Sequence, residues 1–207
     1  MIDTPAPAIL GDPSHDRPGA VWYDPVRVIA LGQAPSRDGD PTLPLTGRPM
    51  QFLCKVIGMH YLSWCACTLR YNLIREFPGY AGGGDAFPMD RARAGAQRLL
   101  LSRHFDVPRI VLCWGPRVGQ ALGLEPDKPL WSASLVSPSG VNHVVAGIPH
   151  PSGRNRWWND AANREEARLF VRMLFESAST IGRMFEEMEG RGDGFSRRAD
   201  PKNWGDA

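Results

Sequence analysis

One histidine in this 207-residue chain sits where an imidazole is held still. The stretch Gly147-Ile148-Pro149-His150-Pro151-Ser152-Gly153-Arg154-Asn155-Arg156-Trp157-Trp158-Asn159 places His150 between two prolines, just after a β-branched run. Proline fixes φ and removes a backbone donor, so this is a stiff loop that pushes the next few side chains outward. That is the build of an active-site loop, and a tight surface turn would use the same residues. Gln33 lies in Gly32-Gln33-Ala34-Pro35-Ser36, directly after an apolar run with the profile of a buried strand. Asn72 follows the alternation of Cys65, Cys67 and Leu69, again at the end of an expected strand. In open parallel sheets, sites form outside the carboxyl ends of strands, so these loops are candidate site walls. Asn72 offers an amide donor and an acceptor, with a turn-capping role as the alternative.

Other chemistries fit less well. Ser14-His15-Asp16 has the residue types of a catalytic triad, but three consecutive residues cannot face one another in relay geometry. Gly82-Gly83-Gly84 lacks the spacing and following helix of a phosphate-binding fingerprint. The four cysteines, Cys54, Cys65, Cys67 and Cys113, form no Cys-x-x-Cys pair and sit in apolar segments. Reduced, buried thiols are expected, with no metal, no iron–sulfur cluster and no other cofactor.

The elements that position these residues follow from composition and periodicity. Hydrophobic residues at 43% and charged residues at 22% suit one compact α/β domain. A net charge of +2 means that any nucleic-acid surface is local. Met1 to Gly11 lacks a basic region followed by an apolar run, and no apolar stretch approaches a membrane span. A cytoplasmic protein, nucleoid-associated when on DNA, is expected. Residues 1–25 read as an irregular lead-in, 26–189 as a single domain, and 190–207 as a disordered tail. Val26–Leu31, a strand within Leu62–Ile74, Arg109–Gly115 and Asn142–Ile148 form the main strands. Trp131–Val136 reads as an edge strand or hairpin arm. Helices are expected from Pro49 to Gly58, Met89 to Phe105, Pro116 to Leu122 and Asn159 to about Met188. Arg91, Arg93, Arg98 and Arg103 fall on solvated faces of the second. The expected architecture is a three-layer α/β sandwich with a central, mostly parallel four-stranded sheet flanked by helices.

In order along the chain, these motifs resemble the uracil-DNA glycosylase superfamily. The family's first loop, Gly-Gln-Asp-Pro or Gly-Glu-Ala-Pro, is matched by Gly32-Gln33-Ala34-Pro35. A Phe-Val-Gly-Arg-Ala-Gly-like stretch of its thermophilic-type branch is matched by Leu45-Thr46-Gly47-Arg48-Pro49. The asparagine that ends its second strand is matched by Asn72, and its final His-Pro-Ser-Pro motif by His150-Pro151-Ser152-Gly153-Arg154. The closing His-Pro-Ser-x-Arg-Asn is closest to the single-strand-selective branch. The likeness spans roughly Val26 to Arg172.

The resemblance implies a monofunctional DNA glycosylase, a hydrolase of DNA repair that flips out and excises uracil or a related pyrimidine. It gives catalytic roles to His150, Gln33 and Asn72, with His150 donating to the departing base. Ala34, Ser36, Leu45 and Asn72 would line the base pocket. Ser152, Gly153, Arg154, Asn155, Arg156, Trp157 and Arg48 would meet the DNA, with Arg154 filling the gap left by the flipped nucleotide. At least one of Trp157 and Trp158 is expected to pack beneath the loop. The partner would be duplex or single-stranded DNA, bound by a monomer, with no membrane involved. Three departures stand out. Ala34 replaces the water-activating aspartate, leaving Gln33, a backbone carbonyl, Asp38 or Asp40 to place the water. Leu45 replaces the stacking phenylalanine, and Ser36 the tyrosine that excludes a 5-methyl group, so a C5-modified base is expected to fit. The branch's cluster cysteines are also missing. Two other readings stay open: an inactive DNA-binding member of the same fold, and a small-molecule or nucleotide hydrolase.

Overall fold

Short runs of β-branched and small apolar residues build the centre of the sheet. The computed structural model describes residues 28–37, 39, 44–81, 84–152 and 155–196, with 84–85 and 179–196 as backbone. Strands β1 (Val28–Gly32), β2 (Thr68–Asn72), β5 (Ile110–Trp114), β6 (Trp131–Val136) and β7 (Asn142–Ile148) form one sheet in the order β2-β1-β5-β7-β6. The first four neighbours run parallel, and β6 closes one edge antiparallel to β7. Every residue of β1 and β5 is buried, as parallel strands covered on both faces must be.

Side chains alternate across the strands and divide the core in two. Ile29, Leu31, Val111, Cys113 and Val145 pack with Ala92 and Ala96 of α3 (Met89–Leu100) and Val118 and Ala121 of α4 (Pro116–Ala121). Val28, Ala30, Leu112, Trp114 and Ile148 pack on the opposite face. They meet Met50 and Leu53 of α1 (Arg48–Ile57), Trp64 of α2 (Tyr61–Cys67), and Ala167, Val171 and Leu174 of α5 (Ala161–Ser196). The fold is therefore α/β, a mostly parallel mixed sheet flanked by helices. It holds five strands instead of four because the hairpin arm pairs with β7 from Asn142 to Gly147.

The register matters most for function. Gly32 pairs with Asn72, Leu31 with Cys113, and Trp114 with Ile148, so four parallel strands end level. Their next residues leave the sheet along one edge.

Four boundaries differ from the sequence reading. Cys65 and Cys67 lie in helix α2, and β2 begins only at Thr68. Apolar residues at 61, 64 and 65 also satisfy helical spacing; the fully buried Trp64 and a cap from His60 to the Leu62 N–H decide for helix. The helix expected to reach Phe105 stops at Leu100, where extended Ser102 breaks it before a 3-10 turn at Arg103–Phe105. Another 3-10 turn, Arg156–Asn159, precedes α5, which starts where Asp160 accepts from the Ala162 N–H. Helix α5 also continues to Ser196, through the start of the expected tail: the missing apolar pattern argues against packing, not against helix, and Glu186-Glu187-Met188-Glu189 are strong helix formers. A two-residue ribbon, β3 (Tyr80–Ala81) with β4 (Gly84–Asp85), crosses the glycine-rich loop.

Candidate active site

Two close approaches at the carboxyl edge of the sheet bring the sequence-identified residues together. The first is at Gly32. A β-carbon there would collide with Asn72 Oδ1 and with the Leu45 side chain, so glycine alone lets both lie over the end of β1. Asn72 Oδ1 is buried and accepts no hydrogen bond among the described residues. Leu45 has φ 55°, the one positive value at a described non-glycine residue. Holding a leucine there costs on the order of 1–3 kcal/mol, and such strain gathers at ligand-binding sites.

The second approach is at Gly115, directly after β5. Its φ of 93° is closed to other residues, and a β-carbon would lie 3.3 Å from Gln33 Nε2 and 3.6 Å from His150 Cβ. Its N–H donates to the Ile148 carbonyl at 2.8 Å, which ties the end of β5 to the residue before Pro149. Gln33 is fixed through its backbone: its carbonyl accepts from Ile74 N–H at 3.0 Å, while Gly32 accepts from Leu73 N–H at 3.1 Å. The loops after β1 and β2 are thus clamped to each other, with Asn72 between them.

His150 is half-buried between the buried Pro149 and Pro151. The Trp114 ring lies beneath it, edge-on at 6.2 Å between centroids. Its carbonyl accepts from Ser152 N–H at 2.8 Å, Trp158 Nε1 at 3.0 Å and Asn155 Nδ2 at 3.3 Å. Three donors on one oxygen fix the peptide from which the imidazole projects.

The remaining candidates divide by position. Ala34 is half-buried against the core, while Ser36 is exposed and its carbonyl closes a turn with Gly39 N–H. Arg48 is exposed at the first residue of α1. Ser152 is half-buried, and its carbonyl accepts from Asn155 N–H. Asn155 holds the loop together, since besides donating to the His150 carbonyl its side chain caps the following turn at Trp157 N–H. Arg156 is exposed. Trp158 is the ring that packs beneath the loop, edge-on to Phe52, and half-buried Trp157 stands against it. Gly153, Arg154, Asp38 and Asp40 lie outside the described residues.

Sequence reasoning missed Gly115 and Trp114. The signal was present in Gly115-Pro116 after a fully apolar strand, which repeats the strand-then-breaker pattern of Gly32. Cys54 and Cys113 are buried and poor nucleophiles: burial, then the neighbouring Cys65, pushes Cys54 up to about 11, and burial pushes Cys113 up further, while Cys65 and Cys67 are only half-buried. No group of three or more His, Cys, Asp or Glu able to hold a metal occurs among the described residues. Nor, among them, is any helix long and apolar enough to cross a membrane.

The edge therefore offers a buried acceptor that takes no hydrogen bond among the described residues, beside an apolar surface, a carboxamide and a fixed histidine. Compared with protein-family models and with curated proteins, the chain matched nothing.

Proposed function

We propose that the chain is a monofunctional DNA glycosylase with a uracil-DNA glycosylase-like fold, which hydrolyses the N-glycosidic bond of a flipped pyrimidine. The observation that carries this reading is the buried Asn72 Oδ1 at the Gly32–Leu45 contact, which accepts no hydrogen bond among the described residues. An acceptor kept from water costs stability unless a ligand satisfies it. An imide N3–H is such a donor, and the Asn72 amide can meet the adjacent O4. Leu45 supplies an apolar surface for the ring, smaller than an aromatic one.

The reaction then divides between the two close approaches. As the C1′–N1 bond breaks, its electron pair leaves with the base. Charge gathers on O2, where a neutral His150 N–H stabilises it by preorganised electrostatics. Water adds to C1′, and its proton passes through solvent to the departed pyrimidine anion, leaving an abasic sugar and the neutral free base. Gln33, whose Nε2 and the His150 Cβ both lie close to Gly115, is proposed to orient that water without deprotonating it, in place of a backbone carbonyl, Asp38 or Asp40. The rival reading, a DNA binder without catalysis, rests on Gln33-Ala34 carrying no carboxylate.

Oligonucleotides bearing uracil, mismatched thymine or C5-modified pyrimidines test this directly. Alkali-labile sites are expected at uracil and at one or more C5-substituted bases. Cleavage at uracil alone would remove the C5 tolerance. Tight binding with no labile site on any substrate would leave the inactive binder.

A further inference from the structure

Beside the candidate site, the chain enters a cleft rich in arginine. Leu73 and Ile74, which follow Asn72, are buried and tied to β1, while Arg75 and Glu76 are exposed. Helix α3 lies against this turn through Gly95, where a β-carbon would collide with the Leu73 carbonyl. The close approach sets Arg91, Ala94 and Arg98, which share one face at i, i+3 and i+7, against Arg75. Between them is a cleft of about 290 Å³, with Ala94 too small to fill it.

The charge in this cleft is unbalanced. Glu76 is its one acid, 3.6 Å from Arg91, and the Arg75 and Arg98 side chains make no hydrogen bond or ion pair among the described residues. In a chain of net charge +2, three guanidinium groups around the Leu73–Glu76 turn that follows Asn72 are a local concentration. Their planar forks match phosphate oxygens. Residues 91 and 98 stand about 10 Å apart along the helix axis, roughly the rise of three nucleotides in one strand.

We infer that this cleft holds the phosphodiester backbone of the strand carrying the excised base, on the Asn72 side of the site. The inference rests on the glycosylase reading and adds a backbone contact that neither the His150 loop nor the Gln33 loop supplies. Such contacts set the register of the strand without reading its sequence.

Anisotropy titrations of a labelled, uracil-containing oligonucleotide at several salt concentrations test it. The proteins compared are the wild type, R75A/R98A, R75A/R91A/R98A, R75K/R98K, and the control R172A, an exposed arginine paired with Glu176 at 2.8 Å. The triple variant is expected to bind about tenfold or more weakly. Its slope of log affinity against log salt should shrink by roughly two to three, at about 0.7–0.9 per lost phosphate contact. The double alanine variant should fall between, the lysine variant should keep most of the slope, and R172A should match the wild type. A triple variant with wild-type melting, affinity and slope overturns the inference. So does a cleft that governs protection by inorganic phosphate but not DNA affinity, since it then serves a free anion. Single-turnover base release separates the two readings. Cleft-dependent DNA binding without base release ends the glycosylase reading and leaves the cleft. Base release with undiminished affinity in the triple variant ends the cleft and leaves the glycosylase.

Discussion

At Asn72 a carboxamide oxygen is shut away from water and accepts no hydrogen bond among the described residues, beside Leu45 and over Gly32. Such an atom weakens a fold, so structure and function should part company when it is removed. Asn72→Ala is expected to keep the unfolding free energy or raise it by up to about 1 kcal/mol. Base release should meanwhile fall on the order of 10²–10³-fold, the usual loss for one transition-state hydrogen bond. Urea denaturation and single-turnover kinetics read the two effects separately, and a clear loss of stability would return Asn72 to a turn-capping role. His150 is the complementary case. Its carbonyl carries the structural bonds, so His150→Ala should leave that loop's hydrogen bonds in place while base release drops. Those two variants differ in chemistry removed, not in scaffold.

Elements matter here through how near they approach. Four strands end level, and Gly32, Gly95 and Gly115 let other groups come closer than any side chain would permit. Gly95 is the most telling, because the atom a methyl would meet is backbone and cannot swing aside. Gly95→Ala is expected to lower stability by about 1–3 kcal/mol, the range for overpacking a core. It should weaken base release as well, since α3 must move off the segment that follows Asn72. Thermal melting and activity should therefore fall together in this variant, unlike in Asn72→Ala. Activity intact in a destabilised Gly95→Ala protein would show that α3 does not hold Asn72 in place.

Over the whole molecule, the edge opposite the candidate site carries a titrating core group. His143 on β7 is 1% exposed, with the Phe105 ring 4.8 Å away and Arg109 beside it. Burial, then the Arg109 charge, pushes its pKa below the ordinary value of 6.5. Above that value both folded and unfolded chains hold it neutral, and it contributes nothing. As pH falls through 6.5, the unfolded chain takes a proton that the folded one refuses, so stability declines toward the lowered folded value. Denaturation midpoints should fall as pH drops below about 6.5, and His143→Leu should flatten that decline. An unchanged slope in the variant would place the titration elsewhere. The α/β class, the main strands and the order of the loops were all legible in the sequence, because burial on both faces demands unbroken apolar runs and proline and glycine mark where they stop. Helix α2 was not, since apolar residues around Cys65 satisfy either period until Trp64 finds its place in the core. His150, Gln33 and Asn72 were visible as types at strand ends. That Gly115 sits between two of them, that Leu45 covers the third, and that α3 sets two arginines beside a third depended on the register of strands far apart in the chain. Local sequence determines which residues lie at the end of each strand; only packing among distant segments decides which of those ends stand side by side.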